Sequence, residues 1–502
     1  MKRTERAEAL SYTLSLANEY VREHAPLSDK SKRPSYHLTP EIGWMNDPNG
    51  FCSFGGKYHL FWQYNPFEPK WNSMYWGHAA TEDFVKWEYL PVALAPDKPY
   101  DWGYGCFSGS ARAEDGKLYL LYTGVDENAV QQQCLAFSSD GVHFEKYERN
   151  PVIPSPKLPE VYPIKEFRDP FLFRRGDRYY ALIGTKTELC GNILLYRSKD
   201  MKRWKYVGAL FGGDEGGLNK GVYECPALFE ADGKDVLMYS AQFLPSDGNR
   251  FVNIHSSVYL VGKLDLTSGK FNADYMGETD GGFDFYAPQT VTAADGRTVM
   301  TAWMQMWDRD YVTESDGFVG SMILPRELVL KDGKLYQYPV REIENYRREE
   351  RRVPDLVLDE EEKKISALRG TQKEIQFKLD TGTAERAGIR VFSGKDCALS
   401  VYYDRKAGTV TLDRGTCGKL IRGAFPETNF ATRSVRIASD GNGVLSFRLF
   451  LDRTGAEVFL NDGAATITAN VYPDREAENA SFFAEGGSAR FFGVVGYEIE
   501  VK

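Results

Sequence analysis

The stretch Asp47-Pro48-Asn49-Gly50-Phe51-Cys52-Ser53-Phe54-Gly55-Gly56-Lys57-Tyr58-His59-Leu60-Phe61-Trp62 passes from a polar-then-proline strand start, through a turn glycine, into an aromatic-rich strand. The plan recurs up to about residue 340, with turn glycines at Gly56, Gly116, Gly176, Gly233 and Gly296, separated by 60, 60, 57 and 63 residues. After the first three glycines come Lys57 to Trp62, Lys117 to Tyr122 and Arg178 to Ile183, whose aromatic and aliphatic content suits strands buried on both faces. A period near sixty with several short strands per unit marks a blade-type repeat, in which each sheet buries its faces only against its neighbours. Five such units close into a β-propeller. Asp83 and Trp87, Asp140 and Phe144, and Asp200 and Trp204 repeat a spacing of four, read as an Asp-started turn feeding an aromatic outer strand.

Working outward, the 502 residues exceed the size at which one core stops growing, so two domains are expected. Residues 1–36 read as an N-terminal helical extension, with Glu5, Glu8, Glu19 and Glu23 set among Leu10, Leu14, Ala17 and Val21. This pattern is neither a signal peptide nor a membrane span. Residues 37–340 read as the propeller, and residues 341–352, rich in Arg and Glu, as a helical connector. From 353 to 502 short alternating strands and turn signals, ending in Glu457 to Leu460 followed by Asn461-Asp462-Gly463, predict a β-sandwich. The fold class is therefore all-β, a five-bladed β-propeller with a C-terminal β-sandwich.

A formal net charge of −9 leaves no basic face to neutralise phosphates, which argues against nucleic acid and anionic membranes and for a small neutral partner. The seven cysteines are scattered without C-x-x-C spacing, so neither a disulfide framework nor a zinc site is expected, and the compartment reads as a reducing cytoplasm. None of the six histidines has metal-motif spacing, so no metal and no cofactor are expected.

Acids recur at matching places in different units: Asp47 before Pro48, Asp169 before Pro170, and Glu224 before Cys225-Pro226. A single Asp-Pro is usually only a turn. Repetition around a ring instead brings three carboxylates to one axial cavity. Arg168 beside Asp169 is expected to hold that acid ionised, while Glu224, between Tyr223 and Cys225, is expected to be kept protonated by desolvation. One charged and one protonated carboxyl is what glycoside cleavage requires. Cys225 reads as a buried, inert thiol.

These residues carry a resemblance over nearly the whole chain. Trp44 to Gly50, Phe107-Ser108-Gly109-Ser110, Arg168-Asp169-Pro170, Glu224-Cys225-Pro226 and Phe285-Tyr286-Ala287-Pro288-Gln289, in that order, resemble the motif set of glycoside hydrolase family 32, the invertases and β-fructofuranosidases. Tyr75 to Ala79, Leu324 to Leu328 and Leu449 to Arg453 agree with it. The resemblance implies a retaining β-fructofuranosidase acting on sucrose, sucrose 6-phosphate or short fructo-oligosaccharides through a covalent fructosyl-enzyme. In that reading Asp47 is the nucleophile, Glu224 the acid/base and Asp169 a transition-state stabiliser, the reacting carboxyls standing roughly 5 to 5.5 Å apart. It further implies that Trp44, Asn46, Gln63, Trp71, Phe107, Ser108, Arg168, Cys225 and Trp303 line the sugar pocket. Ala227 departs from the family, which often has Asp there, and loss of that charge is expected to make Glu224 a stronger acid. A fructosyltransferase using the same intermediate and a non-catalytic carbohydrate-binding propeller are the alternatives. The partner is a small sugar, and a homo-oligomer is compatible with the sequence.

Overall fold

The computed structural model describes residues 13–212, 220–425, 428–440 and 443–501. Glu5, Glu8 and Leu10 of the N-terminal pattern lie outside them. A helix does form over Leu14–His24, where the Thr13 hydroxyl accepts the Leu16 N–H at 3.3 Å. Its Asn18 side chain accepts the Val92 N–H at 2.8 Å, which ties it to the outer strand of the first blade.

Five antiparallel sheets of four strands follow, the first extended by a fifth short strand. Their innermost strands are Gly43–Phe54, Gly103–Glu114, Phe167–Arg175, Tyr223–Ala231 and Tyr286–Thr292. Each touches the next and the last touches the first, so the ring is closed. The pair Phe318–Val319 lies parallel to Gly43-Trp44 and stitches the end of the ring to its beginning. All five turn glycines have φ between 58° and 87°, a region L-residues avoid, which is why glycine recurs there. In the three Asp-started turns, Asp83 accepts the N–H of Val85 and Lys86, Asp140 those of Val142 and His143, and Asp200 those of Lys202 and Arg203.

The innermost strands share the irregularity that positions the site. Each breaks register with its neighbour at the same height, at Met45/Pro48, Phe107/Gly109, Arg168/Phe171, Glu224/Ala227 and Tyr286/Gln289. A bulge re-aims side chains and accommodates a proline without loss of a ladder bond. Asp169, Cys225 and Ala287 sit in these bulges with φ of 63°, 48° and 52°, each immediately before a proline. By this alignment Asp169 matches Cys225, and Glu224 matches Arg168. The sequence reading that sets the three acids level is thus corrected: Glu224 stands one residue before the place of Asp169, and Asp47 one residue after it.

Beyond the ring, two antiparallel sheets of seven and six strands enclose a second core around Ile375, Phe377, Ile389, Leu449, Phe482 and Phe491. The connector is helical only over Arg341–Tyr346; Arg347–Val353 is already a strand, paired with Ser488–Ile499. The expected helix over 341–352 is therefore too long. The reason is tertiary: Arg347 reaches past its partner strand to give two 2.7 Å bonds to the buried Glu374 two strands over, while Arg348 to Arg352 face water. The sheets and ring meet in a buried charge network. His37 lies 2.9 Å from Asp452 and 2.8 Å from Glu457, and Arg326 bridges Glu457 at 2.5 Å and Asp280 at 2.9 Å. Among the described residues no helix is long and apolar enough to cross a membrane.

Candidate active site

The bulges open into an axial cavity of about 440 Å³. The first blade contributes Asn46, Asp47, Gln63 and Trp71, and the second Tyr104, Phe107, Ser108 and Gln131. Glu166, Arg168 and Asp169 come from the third, Glu224, Gln242 and His255 from the fourth, and Trp307 from the loop that leaves the fifth. Asp47, Asp169 and Glu224 thus share one cavity.

Their surroundings differ. Asp47 is buried; its Oδ2 accepts the Ser108 hydroxyl at 3.0 Å and the Cys225 thiol at 3.5 Å, and its Oδ1 has no partner. Burial and the nearby Glu224 charge push its pKa up to about 6, against the pull of Asn46, Ser108 and Cys225. Asp169 accepts the Cys225 N–H at 3.1 Å, and its own N–H donates to Thr123 Oγ1 at 2.9 Å. Glu224 accepts from Arg168 Nε at 3.0 Å and Nη2 at 2.8 Å through Oε1, and from the Tyr286 hydroxyl through Oε2. Arg168 also reaches Glu166 at 2.5 Å and Gln131 at 3.3 Å.

This arrangement corrects the expected charge pattern. Arg168 grips Glu224 and stands 3.9 Å from Asp169. Hydrogen bonding thus follows matching positions on adjacent blades, Arg168 with Glu224, while the sequence neighbour Asp169 feels Arg168 only through its charge. Burial raises Glu224, but the charges of Arg168 and His255 and the bond from Tyr286 outweigh it, so its carboxyl is held below the usual range. Burial raises Asp169 further than Arg168 lowers it, with Glu224 and Asp47 adding to the rise. Ala227, where the family often has an acid, is buried among Met238, Val261 and Phe285 and does not face the cavity.

Of the residues read from the sequence, Asn46, Gln63, Trp71, Phe107, Ser108 and Arg168 line the cavity with the three acids. Trp44, Cys225 and Trp303 stand behind its wall, each almost wholly buried. The Trp44 indole N–H donates to Asn46 Oδ1 at 2.7 Å, and Trp303 packs 5.0 Å from Trp307, the indole that does reach the cavity. Sequence reasoning does not single out Tyr286, His255, Gln131, Glu166 or Trp307 as site residues. Tyr286 lies inside a motif of the family and is within reach of such reasoning; Trp307 has no spacing that marks it. Among the described residues no three His, Cys, Asp or Glu side chains are grouped to hold a metal ion.

Comparison with known proteins gives concordant results. The model of the glycosyl hydrolases family 32 N-terminal domain matches residues 37–339, and that of the family 32 C terminal matches residues 342–499. A sucrose-6-phosphate hydrolase of Zymomonas mobilis is 36% identical, over 91% of this chain and 90% of that protein. A raffinose invertase of Escherichia coli is 35% identical, over 95% of this chain and 97% of that protein. A mutant of the Bombyx mori GH32 beta-fructofuranosidase, solved in complex with sucrose, superposes with a TM-score of 0.81 at 31% identity, over 100% of this chain and 99% of that one.

Proposed function

The chain belongs to glycosyl hydrolases family 32, and from that membership we propose that it is a retaining β-fructofuranosidase releasing terminal fructosyl units from sucrose, sucrose 6-phosphate or short fructo-oligosaccharides. The observation that carries the reading is the pairing, in one cavity, of a buried carboxylate with an unpartnered oxygen and a second carboxyl anchored by Arg168 and Tyr286. A binding module has no use for both. Ser108 and Cys225 hold Oδ2 of Asp47, leaving Oδ1 to attack the anomeric carbon of the fructosyl unit. The bond from that carbon to the glycosidic oxygen breaks as Glu224 passes its proton to the oxygen, and the sugar aglycone departs. Glu224 then takes a proton from water, the hydroxide attacks the same carbon, and Asp47 is released as carboxylate.

Three carboxyls in one cavity titrate as a set, so the proton Glu224 delivers is drawn from a shared pool. In the empty cavity Asp47 and Asp169 carry the raised pKa values and Glu224 the lowered one. A bound fructosyl unit strips water from Glu224, which favours its protonated form. Asp169 is assigned to the sugar hydroxyls, where hydrogen bonds that tighten as charge develops lower the barrier. Residues 37–340 are assigned as the catalytic domain, since every group used here lies in it. The seven unpaired cysteines favour work in the cytoplasm, where thiols stay reduced.

The test is turnover of sucrose with the anomer of the first fructose followed by NMR. Retention of the β configuration is expected, with Asp47→Asn slowing kcat by at least about 10⁴-fold and Glu224→Gln by about 10² to 10⁴-fold. Release of the α anomer, or near wild-type turnover in either variant, rules the mechanism out.

A further inference from the structure

Trp307 reaches the cavity from outside the blade strands, on the loop between Thr298–Trp303 and Phe318–Val319. On the cavity side its ring stacks 5.9 Å from Trp44, and Tyr311 sets its edge against Trp44 and donates its hydroxyl to the Trp307 carbonyl at 3.2 Å. Asp308, Arg309 and Asp310, between these two rings, turn the other way, into the junction with the β-sandwich.

Arg309 is fully buried there. It donates to Asp284 Oδ1 at 3.0 Å, to the Phe283 carbonyl at 2.8 Å and to Asp308 at 3.1 Å. The other oxygen of Asp284 accepts Arg414 Nη1 and the Asn470 N–H, both from the sandwich and both at 2.8 Å. The main chains also join: Arg309 bridges Gly423, the Asp310 N–H donates to the Arg422 carbonyl at 2.8 Å, and the Ala424 N–H donates to the Asp308 carbonyl at 2.9 Å. Gly423 has no room for a side chain, since a Cβ would lie 2.2 Å from the Asp308 carbonyl oxygen. At the start of the loop, the Asn470 amide donates to the Met304 carbonyl at 2.8 Å and to Gln305 at 3.0 Å.

We infer that Arg309, held by Asp284 and by the sandwich residue Gly423, is a positioning residue for Trp307, with the sandwich residue Asn470 holding Asp284 and the start of the same loop, so that the β-sandwich fixes one wall of the sugar cavity. This rests on the fructosidase reading of that cavity. A buried charge hub is a costly way to pack a loop, and its return is a single fixed geometry. Because binding and reaction both depend on alignment, a wall misplaced by about 1 Å weakens a site far more than the small displacement suggests.

The decisive experiment is a double-mutant cycle between the sandwich and the indole, read on sucrose kinetics and on fructose binding followed by tryptophan fluorescence. Gly423→Ala is expected to raise KM roughly ten- to a hundredfold with a much smaller change in kcat. In a Trp307→Ala background the same change should add almost nothing. Asn470→Ala, which removes only side-chain bonds to Met304 and Gln305, runs through the same cycle and decides the matter should Gly423→Ala not fold. Equal KM effects in both backgrounds, or an unchanged KM in the folded variants, overturn the inference. Failure of the wild type to cleave sucrose, sucrose 6-phosphate and a short fructo-oligosaccharide alike overturns the fructosidase reading instead, and the fructose-binding arm still tests the loop.

Discussion

At the scale of single residues, chemistry depends on partners that strand geometry chooses. In the mechanism we propose Asp47 must be charged to attack, and burial beside Glu224 pushes its pKa up to about 6. A raised carboxyl pKa means the nucleophile is lost as pH falls through that value, so kcat/KM on sucrose is expected to decline below about pH 6, and to decline again at higher pH as the carboxyl set loses the proton that Glu224 must deliver. The Ser108 hydroxyl opposes the rise by donating to Oδ2. Ser108→Ala should therefore move the acid limb to higher pH and lower kcat/KM at pH 6 by about three- to tenfold. A pH profile that does not move would show that Ser108 does not tune the nucleophile. Asp47 is legible in the sequence because a Trp-x-x-Asp-Pro-Asn-Gly motif is more than a turn requires. The partner of Arg168 is not legible, because adjacency along the chain is not adjacency across a strand.

At the scale of elements, the bulge is the unit that makes a site out of a repeat. The turn glycines announce where each innermost strand ends and the prolines of four blades announce its bulge, but the register slip shows only once two strands are paired. Closure of the ring depends on a comparable local device. Gly320 follows Val319, has a φ of 91°, and offers a Cβ only 2.1 Å from the Met45 carbonyl oxygen. Gly320→Ala is expected to cost about 2 to 4 kcal/mol, by backbone strain and by pushing the closing strand off the first blade. Chemical denaturation checks this, and an unchanged midpoint would mean that the closure contributes little. The connector shows the opposite limit: an Arg and Glu run looks helical by composition, yet from Arg347 it is a strand because Glu374 and the last strand are there to receive it.

At the scale of the whole molecule, ring and sandwich are joined by buried charge. Burial opposes protonation of His37, but the bonds to Asp452 and Glu457 and their charges outweigh it, and its pKa is pushed up to about 9. A folded-state value above the unfolded value of about 6.5 contributes stability that is complete below 6.5 and is lost as pH rises through about 9. Thermal melts should show a fall in Tm between roughly pH 7 and 10. His37→Gln leaves two buried carboxylates short of a cation, so a loss of about 3 to 5 kcal/mol is expected at neutral pH. The variant should also have a flatter alkaline slope. An unaltered slope would place the alkaline transition elsewhere.

The sequence by itself determined the five-fold repeat, the all-β class, the second domain and the three carboxylates, because each is written in local order: turn glycines at a period near sixty, X-Pro steps beside the acids, aromatic strands, and alternating strands after residue 353. Tertiary structure alone decided that Glu224 holds Arg168, that Trp307 and not Trp303 faces the axial cavity, and that the sandwich meets the loop of Trp307 at Arg309 and Gly423. Those contacts join residues from different blades and different domains. Burial and pairing across a ring are properties of its closure, and no window of sequence contains them.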